Sequence, residues 1–181
     1  MNLNESKRSR VLAVVPSTRG FGFAVLEGRD KLVDWGVKTV KQDKNAGCVA
    51  KLEKLIDESR PAFLALEDYS KKAARRSSRI KAFGEQMAAA ASSMGVKIKR
   101  YGRKRVGSIL FGDERTTKHA RAQMLAGRFA EELESRLPGE RRPWMSEAYQ
   151  MGIFDAVALA LACQKIRRKA SKVDSEEVAS R

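Results

Sequence analysis

Glu67 closes the apolar run Phe63-Leu64-Ala65-Leu66, and Asp155 lies inside the apolar stretch from Met151 to Ala162. A carboxylate in apolar sequence loses hydration, and its charge is tolerated only beside a cation or a fixed hydrogen-bond donor. Cations are in excess, with 37 Lys and Arg against 22 Asp and Glu and a formal net charge of +15. Acids in core-like sequence beneath a basic surface point to a metal-dependent site for a polyanion. Magnesium takes oxygen ligands in near-octahedral geometry, so each carboxylate counts. The same two acids also read as structural groups, each satisfied by a nearby Arg, Lys or backbone amide.

The basic residues fall in three runs. Lys71, Lys72, Arg75, Arg76, Arg79 and Lys81 follow Glu67. Lys97, Lys99, Arg100, Arg103, Lys104 and Arg105 form a second run. Lys118, His119 and Arg121 open a helix, where backbone amides and the helix dipole already favour phosphate. Nucleic acid is therefore the expected partner, bound with salt-sensitive and weakly sequence-dependent affinity. A membrane partner is not expected, because the apolar stretch Ala156 to Cys163 is too short to span a bilayer. No signal peptide is legible in the polar, basic residues Met1 to Arg10. Cys48 and Cys163 stand apart in apolar contexts, which predicts buried free thiols and a cytoplasmic location. The lone His119 reads as a phosphate contact or plain surface rather than a general base. Trp35, Phe83 and Trp144 are expected to pack in the core or in an interface.

The elements that must position these residues follow from hydrophobic periodicity. Residues 1–10 read as a basic disordered arm. Val11 to Val15, Phe21 to Leu26 and Leu32 to Val40 read as an antiparallel meander of strands. A helix over Ala46 to Ser59 precedes an all-apolar, central strand over Ala62 to Glu67. A helix over Ser77 to Met94 ends at Gly95 and leads to an edge strand over Val96 to Tyr101. A short helix over Val106 to Phe111 is followed by one long helix over Thr116 to Arg136, capped by Thr116 or Thr117. Pro138 to Pro143 is a linker, Ser146 to about Arg168 is the last helix, and residues 169–181 read as a disordered tail. The pattern predicts one α/β domain over residues 11–168, with a mixed five-stranded sheet flanked by helices.

Four stretches, VLAVVPSTRGFGFAV, FLALEDY, YGRKRVGSILFGDERTTKHARAQML and MGIFDAVALALA, together resemble RuvC-type Holliday-junction resolvases of the RNase H-like superfamily. The resemblance runs from about Val11 to Ala162. It implies phosphodiester hydrolysis by two Mg²⁺ ions held on acidic residues, with Glu67 and Asp155 as catalytic and metal-binding groups. It also implies that Val15 stands where the first-strand aspartate belongs and Gly152 where a further aspartate often stands. Lys118 matches the family's basic residue, whereas Gly107 replaces another lysine. Tyr69 falls where the family contacts bases near the branch point, so it is expected to stack on a base or to pack as a loop aromatic. The nucleic-acid contacts expected on this basis are Tyr69, Lys71, Lys72, Arg75, Arg76, Arg79, Arg103, Lys104, Arg105, Lys118 and Arg121.

Val15 cannot ligate a metal, so Mg²⁺ affinity and cleavage are expected to be weak or lost. Asp68 is expected to point to the opposite face of the strand from Glu67. Asp113, Glu114 and Glu147 are candidates to replace the missing acid. Three functions stay open. The first is a RuvC-like protein that recognises branched or distorted DNA without efficient cleavage, with a homodimer through Ile80, Phe83 and Met87 as one arrangement. The second is an active, divergent Mg²⁺-dependent structure-selective endodeoxyribonuclease, and the third is an RNA-associated basic scaffold.

Overall fold

The computed structural model describes residues 10–41, 44–70, 77–112 and 116–179. Its sheet has the order β3-β2-β1-β4-β5, built from β1 (Val11–Pro16), β2 (Gly20–Glu27), β3 (Lys31–Thr39), β4 (Phe63–Glu67) and β5 (Lys97–Tyr101). The first three strands pair antiparallel, and β4 and β5 add in parallel beside β1. The mixed five-stranded sheet is therefore the expected one, with β5 at its edge.

Successive side chains of a strand point to opposite faces, and β1 shows the consequence. Val11, Ala13 and Val15 face one core cluster, while Leu12 and Val14 face another. The second cluster is closed by α1 (Lys44–Ser59) and α2 (Ser78–Ser93). The first is closed mainly by a long helix, Met151–Ala179, with α3 (Arg103–Phe111), α4 (Lys118–Arg128) and α5 (Ala130–Leu133) beside it. The long helix is called α6. Both apolar faces of the sheet are thus covered, as a sheet with continuous apolar strands requires.

The approach of α6 to the sheet depends on two glycines. A Cβ on Gly22 of β2 would lie 2.4 Å from the backbone carbonyl carbon and oxygen of Gly152. Only glycine permits that contact, and it seats the first turn of α6 against the sheet.

Several boundaries differ from the periodicity. The helix expected over Thr116 to Arg136 is broken at Phe129, whose φ of −123° and ψ of 59° turn the chain while its side chain stays buried. A 3-10 turn at Glu134–Arg136 ends this region. Residues 146–148 are irregular and 149–150 form a turn, so none of them starts the last helix. That helix runs to Ala179, beyond the expected end near Arg168. Residues 169–179 hold no Gly or Pro, so no strong helix breaker interrupts them. The basic arm, apart from Arg10, lies outside the described residues.

Ile80, Phe83 and Met87 read equally as a dimer interface or as core, and all three are buried within the chain. Trp35 is partly buried against the α6-side cluster, and Trp144 is 77% exposed, outside the core. Cys48 and Cys163 are buried free thiols, and burial pushes both pKa values up. Tyr101 donates its hydroxyl to Cys163 Sγ at 3.6 Å, and burial raises its pKa as well. Among the described residues no helix is long and apolar enough to cross a membrane.

Candidate nucleic-acid interface

The parallel register of β1 and β4 sets the site. Val14 pairs with Leu66, so the next residues, Val15 and Glu67, emerge side by side at the C-terminal ends of the two strands. Open α/β sheets bind ligands at such ends. Glu67 follows the parity of Ala65 and faces the α6 side. Asp155 comes from the second turn of α6. Between them lies a cleft of about 190 Å³, with Val15, Glu67, Arg103, Lys118, Arg121 and Asp155 among its lining residues. Val106, Phe111, Leu125 and Phe154 supply an apolar wall.

Each acid has a cationic partner. Arg103, the first residue of α3, donates from Nε to Glu67 Oε1 at 2.8 Å. Lys118, the first residue of α4, lies 2.8 Å from Asp155 Oδ2 and also contacts Glu147. Glu67 is almost fully buried, with its side chain 10% exposed, while Arg103 reaches it from a largely exposed position. A charge this desolvated needs such a partner.

These residues do not fit the two-ion site that the fold family implies. Val15 presents methyl groups beside Glu67 and is itself buried. Among the described residues no group of three or more His, Cys, Asp or Glu could hold a metal ion. A divalent cation would have to compete with Arg103 for Glu67 and with Lys118 for Asp155. Asp68 uses its Oδ1 to accept the Ser70 N–H at 2.9 Å, which ties it into the loop after β4. Asp113 and Glu114 lie outside the described residues.

A further cation reaches the cleft by an unexpected route. Gly107 stands where the resemblance places a lysine, and Arg121 from α4 fills the space. Its two terminal nitrogens lie 3.2 and 3.3 Å from the position a Gly107 Cβ would take. Thr116 fixes this guanidinium by accepting from its Nε at 2.9 Å, and the ring of Phe111 lies beneath it at 5.4 Å. The sequence signal for this arrangement was a glycine inside a helix followed by an arginine on the next helix.

The N-terminus of α4 adds to the positive potential. Thr117 caps it by accepting the Ala120 N–H at 3.1 Å, as one of the two expected caps. Free amides of a first helical turn favour anions, and Lys118 stands in that turn.

The other expected contacts divide. Arg103, Lys118 and Arg121 converge on the cleft. Lys104, Arg105 and Arg79 are exposed outside its lining, and Arg105 lies 5.9 Å from the ring of Tyr101. Lys71, Lys72, Arg75 and Arg76 lie outside the described residues. Tyr69 is 7% exposed, with its ring against α2 at Gly84, so its face is not open to a base. The role of Arg103 as counter-ion to Glu67 was not apparent from the sequence, because a helix start brings it back to the strand end.

No protein-family model matches the chain, and no curated protein matches it. Solved structures do. RuvC of Thermus thermophilus aligns with a TM-score of 0.65 at 20% identity, covering 88% of this chain and 96% of that one. T. thermophilus RuvC in complex with Holliday junction substrate aligns at 0.63 and 19% identity, covering 86% and 92%. The yeast mitochondrial Holliday junction resolvase Ydc2 aligns at 0.60 and 12% identity, covering 86% and 78%. The chain therefore has the RNase H-like fold of RuvC-type resolvases.

Proposed function

We propose that this protein is a RuvC-like nucleic-acid-binding protein that recognises branched or distorted DNA and cleaves it poorly or not at all. One observation carries the reading: Glu67 and Asp155 are each paired with a cation, Arg103 and Lys118, in a cleft that Val15 also lines. The resemblance gives these acids the family's catalytic positions and Val15 the position of its first aspartate, so on this reading the ligand set for metal is incomplete.

In this reading the cleft acts on DNA through its own cations. Arg103, Lys118 and Arg121 meet phosphate oxygens near the amides of the α4 N-terminus. Such contacts position a backbone without reading bases, so selectivity comes from the shape of the branch. The solved complex of T. thermophilus RuvC with a Holliday junction supports a branched substrate for this fold.

A specific contact favours a second reading. Glu147 reaches the same lysine as Asp155, so a third carboxylate lies close to the cleft. An active divergent nuclease would recruit Glu147 with Mg²⁺. Binding and cleavage measured together on four-way junction and linear duplex separate the two readings. Structure-selective binding without Mg²⁺-dependent cleavage supports the first. Cleavage lost in Glu67→Gln and Glu147→Gln supports the second.

A further inference from the structure

The segment from Pro138 to Gln150 presents three of the chain's exposed large hydrophobic side chains together. Trp144 is 77% exposed, Tyr149 58% and Met145 50%. Trp144 is held by local geometry. Met145 donates its N–H to the Arg142 carbonyl at 3.0 Å, closing a turn with Pro143 and Trp144 at its centre. Proline fixes the backbone at the first central position, so the indole is presented from a stiff support. The Arg142 guanidinium lies 5.7 Å from the indole centroid.

The surroundings are suited to a polyanion. A groove of about 140 Å³ runs between this segment and the start of α4, lined by Lys118, His119, Arg141 and Met145. It shares Lys118 and Met151 with the cleft that holds Glu67 and Asp155. Glu147 lies in it too, paired with Lys118. Arg141 and Arg142 flank the turn on one side, and Glu140 is the nearest acid before them in the chain. An exposed indole beside the Arg142 guanidinium, next in the chain to Met145 of a basic groove, is the composition of a base-stacking platform rather than of an apolar protein interface.

We propose that the Arg142–Met145 turn is a base-stacking element, in which Trp144 receives an unstacked base at a DNA branch point while Arg141 holds the adjoining phosphate. This inference rests on the DNA-binding reading above. Base–aromatic stacking is available only where a base has left the duplex, so the turn favours a branch over an intact helix.

The test compares the full chain with Trp144→Ala and Trp144→Phe on a four-way junction carrying 2-aminopurine at the branch, and on linear duplex. Stacking of one base predicts that Trp144→Ala loses about tenfold in junction affinity. The 2-aminopurine signal changes with the wild-type and Trp144→Phe proteins and not with Trp144→Ala, while duplex affinity is equal for all three. Equal junction affinity and an equal signal for all three proteins would overturn the stacking role and leave DNA binding intact. An equal loss on duplex and junction would also overturn it. So would sedimentation showing self-association that Trp144→Ala abolishes with junction binding unchanged. If the wild type binds neither DNA, the underlying reading fails together with this one.

Discussion

Glu67 and Asp155 are each held by a side-chain cation, and removing Glu67 frees Arg103 in the cleft, whereas Lys118 keeps Glu147 as a partner when Asp155 is removed. Glu67→Gln is therefore expected to raise affinity for a four-way junction by about threefold, the scale of one freed, partly solvated cation. Fluorescence anisotropy at low salt measures this, and an unchanged or weaker affinity contradicts the assignment of Arg103 as a phosphate-binding residue. The stability change is expected to stay near 1 kcal/mol, because Arg103 is mostly exposed and hydrates when unpaired. Val15→Asp is expected to strengthen Mg²⁺ binding by placing a further carboxylate beside Glu67. Calorimetry should then detect a larger Mg²⁺ signal than in the parent protein. A variant with no larger signal would mean that Arg103 and Lys118 keep the acids from the metal.

At the scale of elements, the close packing of β2 and α6 carries the cleft. Gly22→Ala is expected to cost about 1–3 kcal/mol, because its Cβ has backbone rather than a flexible side chain in its way. Gly152→Ala should cost less, since its Cβ would meet Gly22 at an ordinary 3.4 Å. Urea denaturation of the two variants checks the order, and equal midpoints would mean that α6 shifts freely. Much of this layout was legible in the sequence. Continuous apolar runs marked β1 as a strand and β4 as a central one, and the alternation of Val96 to Tyr101 marked the edge. Ion pairing between Arg103 and Glu67 was not legible, because periodicity gives faces and not the partners that a turn brings together. The exposure of Trp144 and the burial of Tyr69 were hidden for the same reason: an aromatic in a loop has no period. Phe129 breaks a helix inside a pattern that stays helical, so only its backbone angles reveal the turn.

At the scale of the whole molecule, charge and core make separate predictions. A net charge of +15 implies binding that weakens steeply with salt. Replacing Arg103 or Lys118 with Ala should lower the slope of log affinity against log salt by about 1 for each cation removed from a phosphate. The core predicts a pH-dependent effect. Burial raises the folded pKa of Cys163 and Tyr101 above their unfolded values, so both stay protonated in the folded state. Their stabilising contribution is complete below about pH 9 and is lost as pH rises and the unfolded chain ionises first. Stability should therefore fall more steeply above about pH 9 in the parent than in Cys163→Ala. Matching slopes would contradict a buried, neutral Cys163.

The most direct measurement is a paired binding and cleavage assay on labelled four-way junction and linear duplex, with Mg²⁺ and with a chelator. Selective binding to the junction is expected to be the same with Mg²⁺ and with chelator, with no cleavage above the level of a Glu67→Gln, Asp155→Asn variant. Mg²⁺-dependent cleavage that this variant abolishes would contradict a cleft neutralised by its own cations, and would mean that a metal displaces Arg103 and Lys118 from the two acids.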